Sequence, residues 1–166
     1  MTFIRKEVFF FLVLLFFCFA KCKIKNYSNE RVDIVIEIVQ SYKYDIGKKV
    51  YTVYFLEKKP NEIFFELSKE EDMKVQEKYY ALNLDKCNGN FEIENNCLIT
   101  PKLYTVVTMN SKNNKQRIKI YSDCNKYSSK DLKMAKRVNE FINFIIELVQ
   151  KKPEIRNAIP SDMLYF

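Results

Sequence analysis

Four of the five cysteines are the residues of this chain whose type and spacing point most directly to chemistry, and the fifth, Cys18, lies within the first twenty residues. Cys22, Cys87, Cys97 and Cys124 offer thiols for two disulfides or for one zinc ion. Structural zinc sites usually contain a C-x-x-C pair, and no such pair occurs here, so disulfides are favoured. Cys87 and Cys97 flank the turn-forming sequence 88–90, Asn-Gly-Asn. We therefore predict a Cys87–Cys97 disulfide, which leaves Cys22 to pair with Cys124.

The disulfide prediction requires an oxidising compartment, and the first twenty residues indicate one. Arg5 and Lys6 precede an uncharged, largely apolar run that ends at Ala20. A short basic start, an apolar stretch and a small residue at its end are typical of a secretory signal peptide, here cleaved after Ala20. The run is shorter than the roughly 20 residues of a membrane-spanning helix, so a retained anchor is the less favoured alternative. We predict a secreted, extracellular protein with no stable membrane span after cleavage.

One position near the new amino terminus could be modified in the secretory pathway. Asn26 begins the sequence Asn-Tyr-Ser, an N-x-[ST] sequon. Such triplets accept N-linked glycans in secreted proteins but also arise by chance. Asn26 is therefore a candidate glycosylation site.

The positive charge of the chain suggests anionic partners. The formal net charge is +7, and basic secreted proteins can meet glycosaminoglycans or phospholipid head groups. The cations are dispersed rather than clustered in a long run, so a solvated surface is the simpler interpretation. A cytoplasmic nucleic-acid role does not fit the secretory address. The candidate polyanion-binding set consists of four doublets: Lys48 and Lys49, Lys58 and Lys59, Lys136 and Arg137, Lys151 and Lys152.

The absence of histidine excludes several classes of enzyme. The chain contains none, which removes Ser-His-Asp and Cys-His catalysis and histidine metal sites. It also lacks a glycine-rich phosphate loop and the H-E-x-x-H motif. The acids Glu70, Glu71 and Asp72 could serve a glycosidase, but they lie in a lysine-flanked segment typical of a solvated turn. We predict a protein without catalytic residues, cofactor or bound metal.

The hydrophobic pattern predicts a single α+β domain over 21–152, with a C-terminal tail over 153–166. Asp33, Glu37 and Gln40 recur at helical spacing and favour an N-terminal helix over 30–43, although the β-branched residues between them would also suit a strand. A long amphipathic helix begins near Ser128 and ends before Pro153. Between them we predict an antiparallel sheet of about five to six strands, at 50–56, 62–67, 78–84, 91–94, 103–109 and 117–121, with one helical turn near 69–74.

An N-terminal helix followed by antiparallel strands resembles the cystatin-like fold over residues 30–124. The inhibitor motif Q-x-V-x-G is missing, however, and Leu56-Glu57-Lys58-Lys59-Pro60 stands in the first hairpin. The chain also has no tryptophan for the second inhibitory loop. The preferred hypothesis is a small, disulfide-stabilised, non-enzymatic protein that binds an extracellular protein or anionic surface. The resemblance implies the alternative of an extracellular protease inhibitor acting through loops such as 57–62 and 110–116, and the lysine doublets imply a binder of glycosaminoglycans.

Overall fold

A seven-stranded sheet with helices on one face forms the fold of this chain. The computed structural model describes residues 30–98, 102–121 and 126–163. The strands are β1 (Asp33–Ile38), β2 (Tyr42–Asp45), β3 (Val50–Val53), β4 (Asn61–Phe64), β5 (Gly89–Ile93), β6 (Tyr104–Asn110) and β7 (Lys115–Tyr121). The helices are α1 (Lys69–Ala81), a 3-10 turn (Leu84–Lys86), α2 (Leu132–Gln150) and α3 (Pro153–Arg156).

The strand order is β4-β3-β2-β1-β6-β7-β5. Strands β1 to β4 form an antiparallel meander, and β6 and β7 form a hairpin that pairs with β1. Strand β5 pairs in parallel with β7, after the chain has passed through α1 and the 3-10 turn. The α+β class is confirmed, with seven strands rather than five or six.

The core lies between one face of the sheet and the helices. Because successive side chains of a strand point to opposite faces, Ile34 and Ile36 of β1 enter the core while Val35 does not. On α2, residues at helical spacing pack onto that same sheet face, as the sequence predicted. They are Ala135, Val138, Phe141, Ile142, Ile145 and Val149.

The opposite face of the sheet carries neither α1 nor α2, and we call it the helix-free face. Its membership follows from the register, because directly paired residues point to the same side. Val106 belongs to it and stays outside the core cluster even though only 4% of its surface is exposed. The face comprises Asp33, Val35, Glu37, Lys43, Asp45, Val50, Thr52, Glu62, Phe64, Asn90, Glu92, Tyr104, Val106, Thr108, Asn110, Lys115, Arg117, Lys119 and Tyr121.

The prediction of a helix over 30–43 is wrong, because this segment forms β1 and the first half of β2. Asp33 and Glu37 are four residues apart, which places them on one face of a helix but equally on one face of a strand. The β-branched residues between them fill the core as a strand. The resemblance to the cystatin-like fold relied on this helix and loses that support.

The strand predicted over 78–84 is also wrong. Helix α1 continues through Ala81, well beyond the single turn expected near 69–74. Ser68 and Glu71 form a capping box, in which each side chain accepts a hydrogen bond from the other's backbone N–H. Only Val75 and Tyr79 of this helix are buried, so its apolar face is narrow and easily missed in the sequence.

The predicted Cys87–Cys97 disulfide is absent, because Cys87 is a free, buried thiol. A turn was expected at 88–90, but Gly89 and Asn90 begin the extended strand β5, which continues into the strand predicted at 91–94. An extended five-residue strand is about 16 Å long, far beyond the Cα separation of a disulfide. Because Cys87 is a free thiol, the four cysteines cannot form the two predicted disulfides. Cys22 and Cys124 lie outside the described residues.

The chain returns to the sheet after α3. The Ser161 hydroxyl donates a hydrogen bond to the Tyr54 carbonyl oxygen at 2.6 Å, and its backbone N–H donates to the Tyr42 hydroxyl at 3.2 Å. The Leu56 N–H donates to the Asp162 carboxylate at 2.9 Å. These bonds fasten part of the segment predicted as a tail to the end of the sheet where β2 begins and β3 ends.

Across the described ranges, no helix is both long enough and apolar enough to cross a membrane. The predicted signal peptide over 1–20 and the sequon at Asn26 lie outside those ranges. Both stay predictions.

Candidate functional site

A shallow groove of about 520 Å³ lies on the helix-free face where β1, β2 and β6 meet the β2–β3 turn. The alternation of these strands brings the groove-lining side chains to the surface while their neighbours fill the core. The groove mixes three carboxylates with two lysines and two neutral polar groups. Its lining residues are Asp33, Val35, Glu37, Lys43, Asp45, Gly47, Lys48, Thr108 and Asn110.

Local contacts hold the polar groups of the groove in place. The Asp45 carboxylate accepts a hydrogen bond from the Lys48 backbone N–H at 2.9 Å and so fixes the β2–β3 turn. The Lys43 ammonium lies 3.7 Å from the Glu37 carboxylate. A Cβ atom at Gly47 would lie only 3.1 Å from Oδ1 of Asp33, so glycine leaves room for that carboxylate. Both partners of the Lys43–Glu37 pair are about one-third exposed or more, and the pair can open to a ligand.

Asn110 supplies an unsatisfied acceptor at the rim of the groove. Its side-chain oxygen is buried and has no hydrogen-bond partner among the described residues. A buried polar atom without a partner is uncommon in folded proteins. The groove therefore contains charged and polar groups that can bind a polar ligand.

A second feature of the helix-free face is a line of cations on β7, which we call the β7 stripe: Lys115, Arg117 and Lys119. The sequence 115–121 alternates, so Gln116, Ile118 and Ile120 enter the core and the cations face outward. Tyr104 and Tyr121, which are paired across β6 and β7, lie beside the end of the stripe.

Lys119 is the most constrained cation of the β7 stripe. Its ammonium donates hydrogen bonds to the Tyr121 hydroxyl at 2.7 Å and to the Glu92 carboxylate at 2.9 Å. It also lies over the rings of Tyr104 and Tyr121, at 4.5 Å and 4.7 Å from their centroids. The hydrogen bonds with Tyr121 and Glu92 raise the pKa of Lys119, and the bond with Lys119 lowers the pKa of Glu92. Both groups therefore stay charged at neutral pH.

The predicted polyanion-binding doublets do not form one surface. Lys48 and Lys49 lie in the β2–β3 turn, whereas Lys58 and Lys59 lie in the β3–β4 connection at the opposite end of the sheet. Several of these cations already have partners. The Lys49 ammonium lies 2.6 Å from the Glu66 carboxylate, Arg137 donates to the Leu82 carbonyl oxygen, and Lys152 pairs with Glu71. Lys136 and Lys151 are exposed on and just after α2.

The Lys152–Glu71 pair predicts a pH dependence of stability. The two groups are 2.6 Å apart, and the bond with Lys152 is the main cause that lowers the pKa of Glu71. A lowered folded-state pKa contributes stability that is complete above the unfolded value and disappears as pH falls through the folded value. We expect Lys152→Met to reduce the free energy of unfolding by about 0.5–1 kcal/mol at pH 7 and by much less at pH 3.

Urea unfolding at the two pH values measures this difference. Lys151→Met is the matched control, because Lys151 is exposed and adjacent in sequence. Equal losses for Lys152→Met at pH 7 and pH 3 would contradict an electrostatic role for Lys152.

The two loops of the protease-inhibitor alternative lie at opposite ends of the sheet. The β3–β4 connection follows Val53. Val53 pairs with Tyr42, and Tyr42 pairs with Ile38 at the carboxyl end of β1. The β6–β7 turn follows Asn110, which pairs with Asp33 at the other end of β1. Loops 57–62 and 110–116 therefore cannot enter one protease cleft together.

The clustered acids at the start of α1 have partners that belong to the fold. Glu70 pairs with Lys74, Glu71 with Lys152, and Asp72 with Arg31. Carboxylates in the first turn of a helix are also stabilised by the helix dipole. Within the described residues, no group of three histidine, cysteine or acidic side chains is arranged to hold a metal ion.

Cys87 does not provide a reactive thiol at the surface. Its sulfur lies 3.8 Å from the Met134 sulfur, between the end of the 3-10 turn and α2. Burial raises the pKa of the Cys87 thiol. Nucleophilic cysteines need the thiolate, so this residue is a packing element.

Comparison with protein-family models, with curated proteins and with solved structures finds no match to this chain. The function must therefore be inferred from the helix-free face. The β7 stripe does not follow from the lysine doublets, because its cations are not adjacent in sequence. Arg117 and Lys119 alternate within the strand predicted at 117–121, and Lys115 precedes it by two residues; residues two apart on a strand share a face.

Proposed function

We propose that this chain is a secreted, non-enzymatic protein that binds an extracellular macromolecule through the helix-free face of its sheet. The observation that carries the proposal is the asymmetry of the sheet. One face is filled by α1 and α2, while the other presents the groove and the β7 stripe. Exposed polar and aromatic groups on a rigid sheet suit recognition, because the side chains are positioned by the backbone ladder.

Two further observations support binding rather than catalysis. The chain has no histidine, and its buried Cys87 thiol has a raised pKa. The groove is shallow, and its Lys43–Glu37 pair and Asp45 turn contact serve positioning rather than proton transfer. A shallow surface with mixed charges fits a macromolecular partner better than a small substrate enclosed in a pocket.

The face is tested with one variant and one control. The purified chain is applied to an array of matrix proteins, receptor ectodomains and glycans, and each binding signal is measured again with Thr108→Glu. Thr108 lines the groove and pairs with Arg117 of β7, so a carboxylate there should abolish or strongly weaken binding. Asn143→Glu adds the same side chain to an exposed position of α2 and should leave binding unchanged. Signals that respond equally to both variants, or an array without any signal, would contradict the proposal.

Secretion is tested separately by expressing the whole chain in a eukaryotic secretory host. We expect protein in the medium whose amino-terminal sequence begins at Lys21, with a mass shift if Asn26 carries a glycan. Recovery only in the cell pellet with Met1 at the amino terminus would contradict the extracellular assignment.

A further inference from the structure

The β7 stripe has the spacing of a linear charge array. Residues two apart on a strand are separated by about 6.6–6.8 Å, so Lys115, Arg117 and Lys119 form an evenly spaced row along β7. Lys102 places a fourth cation at the Tyr121 end of the row, because its ammonium lies 5.4 Å from the centre of that ring.

This row is only partly neutralised. Strands β6 and β5 lie on either side of β7. On the helix-free face, β6 has no charged side chain and β5 has one carboxylate, Glu92. Glu92 is bound to Lys119. Lys115 and Arg117 are exposed and make no ion pair with any described residue. Their positive charge is therefore available to a polyanion.

The accessibility of the aromatic rings beside the row indicates which class of polyanion fits this surface. Single-stranded nucleic acids bind by stacking bases on exposed aromatic faces. The Tyr104 ring is covered by the Lys119 ammonium, and the Tyr121 ring has the ammonium groups of Lys102 and Lys119 over it. A base would have to displace these lysines, whereas sulfate groups could pair with them directly.

We propose that the β7 stripe, together with Lys102, binds a linear sulfated polysaccharide. This inference rests on the proposed function, because it names the partner class of the helix-free face. The occupant is chosen by charge complementarity: a chain of repeated anionic groups lies along a row of cations on a rigid strand. The four doublets predicted from the sequence do not contribute to this site.

The experiment measures heparin binding by the mature chain, with wild type compared against charge-matched variants. The stripe variant is Lys115→Gln with Arg117→Gln, which removes two exposed cations and leaves the Lys119 network intact. Lys133→Gln with Lys136→Gln removes the same charge from exposed positions of α2. We expect the stripe variant to lose affinity on the order of 10-fold in 0.15 M salt. Its salt dependence should also fall by about one contact for each cation removed. The α2 variant should bind like the wild type.

A third variant should strengthen binding. Glu92→Gln removes the one carboxylate that neutralises Lys119, and we expect its heparin affinity to rise severalfold. Thermal unfolding monitored by circular dichroism checks that all variants remain folded. Unchanged or weaker binding by folded Glu92→Gln would overturn the assignment of Lys119 to the site.

Three other results would also overturn the inference. Equal losses in the stripe and α2 variants would mean that binding follows net charge alone. Wild-type elution from heparin at no higher salt than from a plain cation exchanger would exclude a specific site. Stripe-dependent binding to single-stranded DNA or to phosphatidylserine vesicles, without heparin binding, would assign the row to another polyanion. None of these results would change the effect of Thr108→Glu on the binding of another partner to this face, so failure here is distinguishable from failure of the proposed function.

Discussion

Phe141→Ala is expected to lower the free energy of unfolding by about 3–5 kcal/mol. The Phe141 ring is fully buried in the middle of α2 and packs against Tyr79 of α1, with ring centroids 6.3 Å apart. Truncation removes apolar burial and leaves a cavity where both helices meet the sheet. Chemical unfolding followed by far-ultraviolet circular dichroism measures the loss.

Phe144→Ala is the matched control, because Phe144 lies one turn further on the same helix and is only partly buried. We expect its loss to be clearly smaller. Comparable losses for the two substitutions would contradict the packing of α2 described above, in which Phe141 faces the sheet.

The second large effect concerns a buried hydrogen bond between α1 and β7. The Gln116 amide donates to the Tyr79 hydroxyl at 2.9 Å, and both side chains are almost completely buried. Tyr79→Phe leaves that amide without an acceptor and should cost about 1–3 kcal/mol. Gln116→Leu leaves the Tyr79 hydroxyl unpaired and should have a similar effect.

The double variant should cost less than the sum of the two single variants, because it leaves neither polar group unpaired. The Gln116 side-chain oxygen has no partner among the described residues, so its removal also relieves an unsatisfied group. Additive losses in the complete mutant cycle would show that the two groups are not coupled.

Tyr79 also predicts how stability changes at alkaline pH. Burial raises the pKa of Tyr79 to about 12, even though the bond with Gln116 lowers it. A raised folded-state pKa contributes stability that is complete below the unfolded value near 10 and is lost as pH rises through the folded value. Wild type should therefore lose stability between about pH 10 and 12, and Tyr79→Phe should lose less over that range.

The elements predicted correctly from the sequence are those whose hydrophobic pattern fits only one type of secondary structure. The stripe of α2 recurs over five turns and fits only a helix, and the alternation in 117–121 fits only a strand. The β3–β4 and β6–β7 hairpins were also predicted, because Pro60 and the asparagine-rich turn at 110–114 interrupt their strands.

The errors arose where two patterns coincide. A separation of four residues, as between Asp33 and Glu37, is compatible with both a helix and a strand, and here the β-branched residues between them decide for the strand. The strand predicted over 78–84 conflicts with a helix-start signal upstream, because Ser68 and Glu71 have the spacing of a capping box. The sequence Asn88-Gly89 predicts a turn, whereas Gly89 begins β5 with a φ of 94°.

The candidate site was harder to predict than the fold. The groove combines residues of β1, β2 and β6, and the pairing of β1 with β6 cannot be derived from local sequence. The β7 stripe is local, but its importance depends on the neutral β6 and the single carboxylate of β5 beside it. Those neighbours are set by the sheet order.

The sheet order also determines when this chain can complete its fold. Strands β1 to β4 are neighbours in sequence, so their meander can form as soon as residue 64 has been synthesised. The other edge of β1 stays unpaired until β6 arrives at Tyr104, and β5 cannot pair before β7 has followed. Until then the central strand is an open edge that could pair with another chain. Pairing of the β6–β7 hairpin with β1 thus protects the nascent protein from aggregation, and the β7 stripe lies on the last strand to be synthesised.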